Sequence, residues 1–322
     1  MSLAQVATAL EAGVAGRVAL DQPLASLTTY RLGGPAALFF EPASVQDLIA
    51  LTSAIRAAGL DPERVPLLVM GRGSNVVISD RGFDGIVVRM AAGMSWIEPA
   101  SDDQRTVRAG AATSLPVLAN WAARRSLGGL EFTVGVPGSV GGGVRMNAGA
   151  HGGEVADTLA EVEVFDLRGG EVGTVVAADL QLGYRSSALG PTEVVVEATF
   201  RLIPGDAAEI KARMESYRRH RAETQPGALQ NAGSTFKNPP GDSAGRLVDA
   251  AGLKGFGVGG AHVSELHANF FIASSTSTAQ DVFDLVQEVR HRVLEATGVE
   301  LEPEVRFVGP FADALSETEI VR

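Results

Sequence analysis

Residues Gly129–Glu154 read GLEFTVGVPGSVGGGVRMNAGAHGGE, and the reading of this stretch decides the fold. Gly135, Gly138, Gly141, Gly142, Gly143 and Gly149 are too many glycines for a hairpin. Val136, Pro137, Val140, Val144 and Met146 make the stretch too apolar for a flexible linker. Backbone this bare suits a large flat ligand or a diphosphate lying against the main chain. A second glycine loop, Gly71–Asn75 (GRGSN), follows the buried run Val65–Met70. It carries the first half of G-x-G-x-x-G, but position 76 is Val and the continuation VVISDRGFDG reads as strand and turn. A dinucleotide fingerprint needs a helix N-terminus there to hold the pyrophosphate, so that fold is rejected. No G-K-[ST] occurs, which removes a triphosphate loop. Two readings of GRGSN stay open at this level: an anion-holding nest and an ordinary tight turn.

Working outward, 322 residues allow two or three domains. Acidic residues outnumber basic ones 38 to 27, for a net charge of −11, which argues against nucleic-acid binding by broad charge neutralisation. A local basic pocket for one anionic small molecule is compatible with it. With no cysteine there are no disulfides, thiolate metal sites or cysteine nucleophiles. The longest apolar runs, such as that around Phe270–Ala273, fall far short of a membrane helix. The N-terminal MSLAQVATALEAG reads as an amphipathic helix rather than a signal peptide. The expectation is a soluble, cytoplasmic protein without membrane insertion, taken as a monomer. Only three of the 27 basic residues are lysines: Lys211, Lys237 and Lys254. A compact ammonium kept in a chain that otherwise uses arginine marks those positions as candidates for a specific job.

Along the chain, Ala36–Phe40 reads as a strand. Ser44 opens a helix to about Ala58 with Asp47 as a capping-box-like partner. Val76–Ile78 and Ile86–Arg89 read as strands, so the first 90 residues form a βαβ-type unit. A strand at Arg105–Ala109 and a helix from Ser114 to about Ser126 precede the glycine stretch. A hairpin follows it, Glu161–Phe165 and Val172–Val176 around Arg168–Gly170. Val194–Leu202 alternates like a half-buried strand, and Pro204-Gly205-Asp206 punctuates it. Beyond it come a helix over about 207–222, a short helix Arg246–Ala251, a strand Phe270–Ile272, an amphipathic helix Thr278–Thr297 stopped by Gly298, and a strand near Val305–Val308. Breaks at about 90 and 204 divide the chain into 1–90, 91–204 and 205–308.

Six blocks occur in order: GRGSNVVISD, the glycine stretch itself, Tyr184-Arg185-Ser186-Ser187, NAGSTFKNPPGDSAGRLVDAAGLKG from Asn231, VSELHANF from Val263 and LEPEVRFVG from Leu301. Together they resemble the UDP-N-acetylenolpyruvoylglucosamine reductase family from Thr29 to Gly309. That resemblance implies an α+β architecture: a two-domain FAD-binding fold of the vanillyl-alcohol-oxidase type, plus a third α+β domain that binds the UDP-sugar. It also implies that 309–322 returns to the first domain. FAD is the implied cofactor, NADPH the hydride donor, and a UDP-sugar the small-molecule partner.

The resemblance further implies the site. Gly71, Arg72, Gly73, Ser74 and Asn75, with Gly135, Pro137, Gly138, Ser139, Gly141 and Gly142, wrap the FAD, and Asn147, Ala148 and Gly149 lie near them. Members of the family carry tyrosine at the position of His151. Arg185 takes the substrate carboxylate, a task that suits a planar guanidinium, although a surface salt bridge is the common fate of an arginine. Only Ala188–Glu193 separates it from the next strand, the short-loop variety. Ser234 is the implied proton donor, where isolated reading would see a turn residue. Lys237, Asn238, Lys254, His267 and Arg306 are implied substrate contacts. Glu304 is implied catalytic, with Glu302 outside the site, and Arg306 two residues on in a strand would point the same way. His262 and His267 lack the carboxylate partners of a metal site, and no metal is expected. Two other readings remain. One is an oxidase of the same fold, which would lack the third-domain blocks. The other is a non-enzymatic flavin- or UDP-sugar-binding protein, which need not keep Ser234, Arg185 and Glu304 together.

Overall fold

The computed structural model describes residues 2–90, 92–100, 104–227, 229–312 and 320–321. Contacts gather the chain into two units: 1–20, 38–72 and 85–220 in the first, and 21–37, 73–84 and 221–322 in the second.

The first unit holds two cores. One lies under helices α1 (Leu3–Glu11) and α2 (Val45–Ala57), where Val6, Leu10, Leu48, Leu51 and Ile55 bury against Phe40, Ile86 and Val88. Leu67–Met70 runs parallel to Ile86–Arg89, from Leu67 opposite Ile86 to Met70 opposite Arg89. These strands belong to a four-stranded sheet in the order 17–23, 35–41, 83–89, 67–70. Ser44 caps α2 by accepting from the Asp47 N–H. The expected reciprocal bond is not made. The Asp47 carboxylate accepts instead from the N–H groups of Ala43 and Ala15, tying the segment after α1 to the start of α2.

The second core of this unit packs α3 (Leu115–Ala123) and α4 (Val140–Arg145) on an antiparallel sheet in the order 172–176, 159–166, 193–201, 106–110, 97–99. The expected alternation of Val194–Leu202 gives way to continuous burial from Val194 to Ala198. Val194 and Val196 enter the first core, while Val195, Ala198 and Phe200 enter the second. A central strand covered on both faces has no solvent side for polar residues. Glu197 is buried there, and its carboxylate meets the Arg108 guanidinium on the adjacent strand. Helix α5 (Ala207–Thr224) contributes Ile210 and Met214 to the same core.

The second unit has its own core around α6 (Ala244–Ala250) and α7 (Ala279–Thr297). Helix α6 begins two residues before the expected start, because Ser243 caps it by accepting from the Arg246 N–H. Thr278 caps α7, and Gly298 ends it at φ 71°, the left-handed turn that glycine takes at little cost. Three short antiparallel strands, Gly257–Val258, Ala261–Val263 and Phe271–Ala273, close one side. Arg306–Val308 pairs in parallel with Val76–Ile78. Ser79 then donates to the carbonyls of Val308 and Pro310, and Phe311 stacks on Phe283 at 4.9 Å. The expected return of 309–322 falls largely on residues 313–319 and 322, outside the described residues. Among the described residues no helix is long and apolar enough to cross a membrane.

Candidate active site

In the first unit the glycine stretch is less bare than its composition suggests. Glu131–Gly135 forms one 3-10 turn, and Val140–Arg145 forms α4 with Ser139 at its N-cap. The N–H groups of Val140 and Gly141 are spent on the carbonyls of Thr113 and Ala111, and Gly138 accepts from Leu115. Gly141 therefore serves packing: a Cβ there would stand 3.1 Å from that of Ala111. Gly71 serves close approach, since its Cβ would stand 2.6 Å from the Ser139 Oγ. Gly142 differs. It is exposed, and an added Cβ would meet nothing nearer than the Ser139 Oγ at 3.6 Å. A cleft lined by Val69, Met70, Gly71, Met90, Ala111, Ser139, Gly141, Gly142, Arg145, Glu193, Val194 and Val195 opens here. Its walls are largely apolar, with Arg145 and Glu193 as charged members and Gly142 exposed at the edge. Pro137 and Arg72 are exposed on the two loops.

Gly149 sits beside Arg185, whose Nη2 donates to the Gly149 carbonyl at 2.9 Å. Arg185 lies in a tight turn closed by two backbone bonds between Gly183 and Ser186, and it adopts φ 56°. Its guanidinium carbon is 5.2 Å from the Tyr184 ring centroid. Asn147 is fully buried, and both ends of its amide meet protein partners, Gly183 and Ala156. His151 stacks on Tyr217 at 4.2 Å and meets His220 edge-on. Sequence reading missed Arg145, whose guanidinium donates to the carbonyls of Leu189, Gly190 and Glu193 and so pins the short loop after Arg185. It also missed the buried Glu131, which holds Arg213 and the Gly129 N–H. A lone charged residue inside an apolar block gave no period or spacing to flag either one.

In the second unit Gly73 adopts φ 63°, and a Cβ on it would stand 2.3 Å from the Leu27 carbonyl oxygen. Its own carbonyl accepts from the Thr29 N–H. Two residues on, the Asn75 side chain donates to the Glu304 carbonyl at 3.1 Å, and its carbonyl accepts from the Arg306 N–H at 3.0 Å. Ser74 lies between these two fixed points.

Ser234 bridges to Phe270 and is half-buried, at the start of a buried segment. Thr235 donates its N–H to the Asn269 carbonyl. The Asn269 side chain takes the Phe236 N–H on its oxygen and donates to the Phe236 carbonyl, each at 2.9 Å. One amide thus completes a strand-like pairing inside the core. On the other side Glu304 donates its N–H to the Thr235 carbonyl at 2.8 Å. Asn75, Ser234, Glu304 and Arg306 are brought together by this ladder. The strand begins only at Arg306, so Glu304 lies outside it, although buried Val305 still separates the two side chains. Behind the segment, the buried Tyr30 hydroxyl donates to the Phe271 carbonyl, and burial pushes its phenol above the usual range.

Lys237 pairs with Glu302, the glutamate expected to stand outside the site. Asn238 accepts from the Ala244 N–H at the start of α6, and Lys254 pairs with Asp249 at 2.8 Å. The His267 Nδ1 accepts from the Asn269 N–H, so the neutral ring carries its proton on Nε2. Burial, with the Lys254 ammonium nearby, holds the imidazole below its ordinary value. Among the described residues no group of three or more histidines and carboxylates is placed to hold a metal.

Residues 36–175 match the model of the FAD binding domain, and residues 225–308 match that of the UDP-N-acetylenolpyruvoylglucosamine reductase C-terminal domain. Among similar proteins, the UDP-N-acetylenolpyruvoylglucosamine reductase of Acidiphilium cryptum is 46% identical, over 92% of this chain and 93% of that protein. The one of Rubrobacter xylanophilus is 44% identical, over 90% and 94%. The crystal structure of the reductase from Thermus caldophilus superposes with a TM-score of 0.77 at 36% identity, covering 92% of this chain and 99% of that one. The architecture is therefore an α+β FAD-binding fold followed by a reductase C-terminal domain, and the protein is a flavin-dependent oxidoreductase. With likeness of this extent running through both matched domains, the chain belongs to the UDP-N-acetylenolpyruvoylglucosamine reductase family.

Proposed function

We infer that the chain reduces UDP-N-acetylglucosamine enolpyruvate to UDP-N-acetylmuramate for peptidoglycan synthesis, consuming one NADPH and one proton. The observation that carries this reading is the ladder that holds Ser234 beside Glu304 through Thr235. Bound FAD supplies the two-electron chemistry linking NADPH oxidation to reduction of the enolpyruvyl alkene. Gly71–Asn75, Gly135–Ser139, Gly141, Gly142 and Gly149 are the residues that would hold it.

Each side chain then has one task. Arg185 takes the substrate carboxylate, into which negative charge spreads as the terminal methylene becomes methyl. Ser234 delivers the proton to the ether-bearing carbon. Glu304 assists by hydrogen bonding. Lys254 meets the UDP end, and His267 offers its Nε2 proton to the same ligand. Lys237 and Asn238 orient the segment that follows Ser234, and Arg306 completes the anionic contacts. The division into 1–90 with 309–322, 91–204 and 205–308 stands as the domain plan of this reading. A nucleotide-activated sugar and NADPH suit a cytoplasmic enzyme.

Steady-state NADPH oxidation with and without the enolpyruvyl sugar tests the function. Turnover that requires the sugar and yields the lactyl ether is expected. Oxidation of a simple alcohol in its place would favour an oxidase, and flavin binding without turnover would favour a binding protein.

A further inference from the structure

The last residue of α4 and the residues that follow it hold the Arg185 turn and the loop after it at four points. Asn147 donates from Nδ2 to the Gly183 carbonyl at 3.0 Å, just before the turn. The Gly149 carbonyl accepts from the Arg185 guanidinium itself. The Arg145 carbonyl accepts from the Ser187 Oγ at 2.8 Å, just after the turn. The Arg145 guanidinium then secures the carbonyls of Leu189, Gly190 and Glu193. Asn147 is the centre of this clamp. It is fully buried and adopts φ 38°, a backbone that asparagine tolerates better than most residues. Its Oδ1 accepts from the Ala156 N–H at 2.9 Å, which leaves the amide no rotational freedom. A buried amide bonded at both ends to protein fixes the segments it joins.

We propose that Asn147 is a positioning residue for the Arg185 guanidinium, acting through the Gly183 carbonyl, with Ser187 as the matching tie on the other side of the turn. The proposal rests on the reading of Arg185 as the group that takes the substrate carboxylate. Bidentate recognition of a carboxylate depends on the plane of the guanidinium fork. Arg185 stands at a left-handed φ of 56°, so its turn needs outside support to keep one orientation.

The test uses the full FAD-loaded chain in rapid mixing, following flavin absorbance first on adding NADPH and then on adding the enolpyruvyl sugar. Asn147→Gly keeps the left-handed backbone and deletes the amide. Asn147→Asp keeps the acceptor for the Ala156 N–H and removes the donor to Gly183. Both are expected to retain FAD and the NADPH step, and to slow the sugar step by up to about 10²-fold, the cost of a small misplacement. The sugar should also raise the thermal midpoint less than it does in the parent. In an Arg185→Ala background, deleting the Asn147 amide should add little further loss, because the two residues act as one unit. Multiplying losses in the double variant would overturn the proposal. So would equal slowing of both steps together with lost FAD, the mark of a cofactor contact. An Arg185→Ala enzyme with a normal sugar step would instead overturn the reading of Arg185, and the proposal with it. If neither Asn147 variant folds, Ser187→Ala decides: selective slowing of the sugar step supports the clamp, and an unchanged sugar step refutes it.

Discussion

Ser234 is an ordinary residue made specific by its neighbours. Thr235 and Phe236 are locked to Asn269 on one side, and Thr235 receives Glu304 on the other. The hydroxyl therefore stands on a segment that cannot drift. A proton is needed only when carbon is reduced, so Ser234→Ala should leave flavin bleaching by NADPH intact. Recovery of absorbance on adding the enolpyruvyl sugar should slow by about 10²–10⁴-fold, the usual worth of a positioned acid. Ser234→Cys should keep more activity, since a thiol also donates. A slow NADPH step with a normal sugar step would reduce Ser234 to a turn residue. His267 gives a prediction in pH. Its folded value lies below the ordinary histidine value because of burial and Lys254, so the unfolded chain binds this proton first as pH falls. Stability should decline as pH drops through about 6.5 toward the folded value, and level off below it. Urea titrations of His267→Gln against the parent check this, and an unchanged slope across that window would count against it.

At the scale of elements, α4 places three glycines in a row where a helix would prefer alanine. Gly141 and Gly143 are packed against Ala111 and Leu115, but a Cβ on the exposed Gly142 would meet only the Ser139 Oγ, at an ordinary contact distance of 3.6 Å. Gly142→Ala should therefore stabilise the apo protein by up to about 1 kcal/mol, the helix-propensity difference. The same methyl should weaken FAD binding if the cofactor lies on that edge. Thermal melts of apo protein and flavin titration read the two effects separately, and gain without loss would move the flavin elsewhere. The start of α7 shows a different economy of groups. Thr278 caps it in the chain, while Asp80 reaches from another segment to accept from the N–H groups of Ala279 and Gln280. Asp80→Ala should cost about 1 kcal/mol in denaturant unfolding, the common worth of a lost N-cap acceptor, because it exposes two helix N–H groups.

For the molecule as a whole, the glycine loops predict a holoprotein. FAD released on denaturation should approach one per chain, measured by absorbance against protein. A folded, colourless protein that does not take up FAD would remove the basis of the functional reading. Most of the bare backbone lies in loops and in α4, with Gly85, Gly110 and Gly173 in strands and Gly245 in α6, while Val, Leu and Phe fill the cores beneath.

Helices α2, α3 and α7 and the hairpin around Arg168–Gly170 were legible because period, cap and turn residues are local signals. So were the strand after GRGSN, which excluded a dinucleotide fold, and the ordered blocks that mark the family. Ile97–Pro99 was not legible, since three mixed residues show no period, and Arg17–Pro23 was not, since it is largely exposed and does not alternate. Continuous burial of Val194–Ala198 required knowing that two cores meet on one strand. The partners of Asp47, Asn147, Asn269 and Lys237 were likewise settled only by the fold. Thus the chain's own order determined where glycine, arginine and the unusual lysines stand, and with them the class of ligand. Only tertiary structure decided which amides remain for that ligand and which are consumed in holding the loops, because hydrogen-bond satisfaction in a buried loop depends on residues distant in sequence.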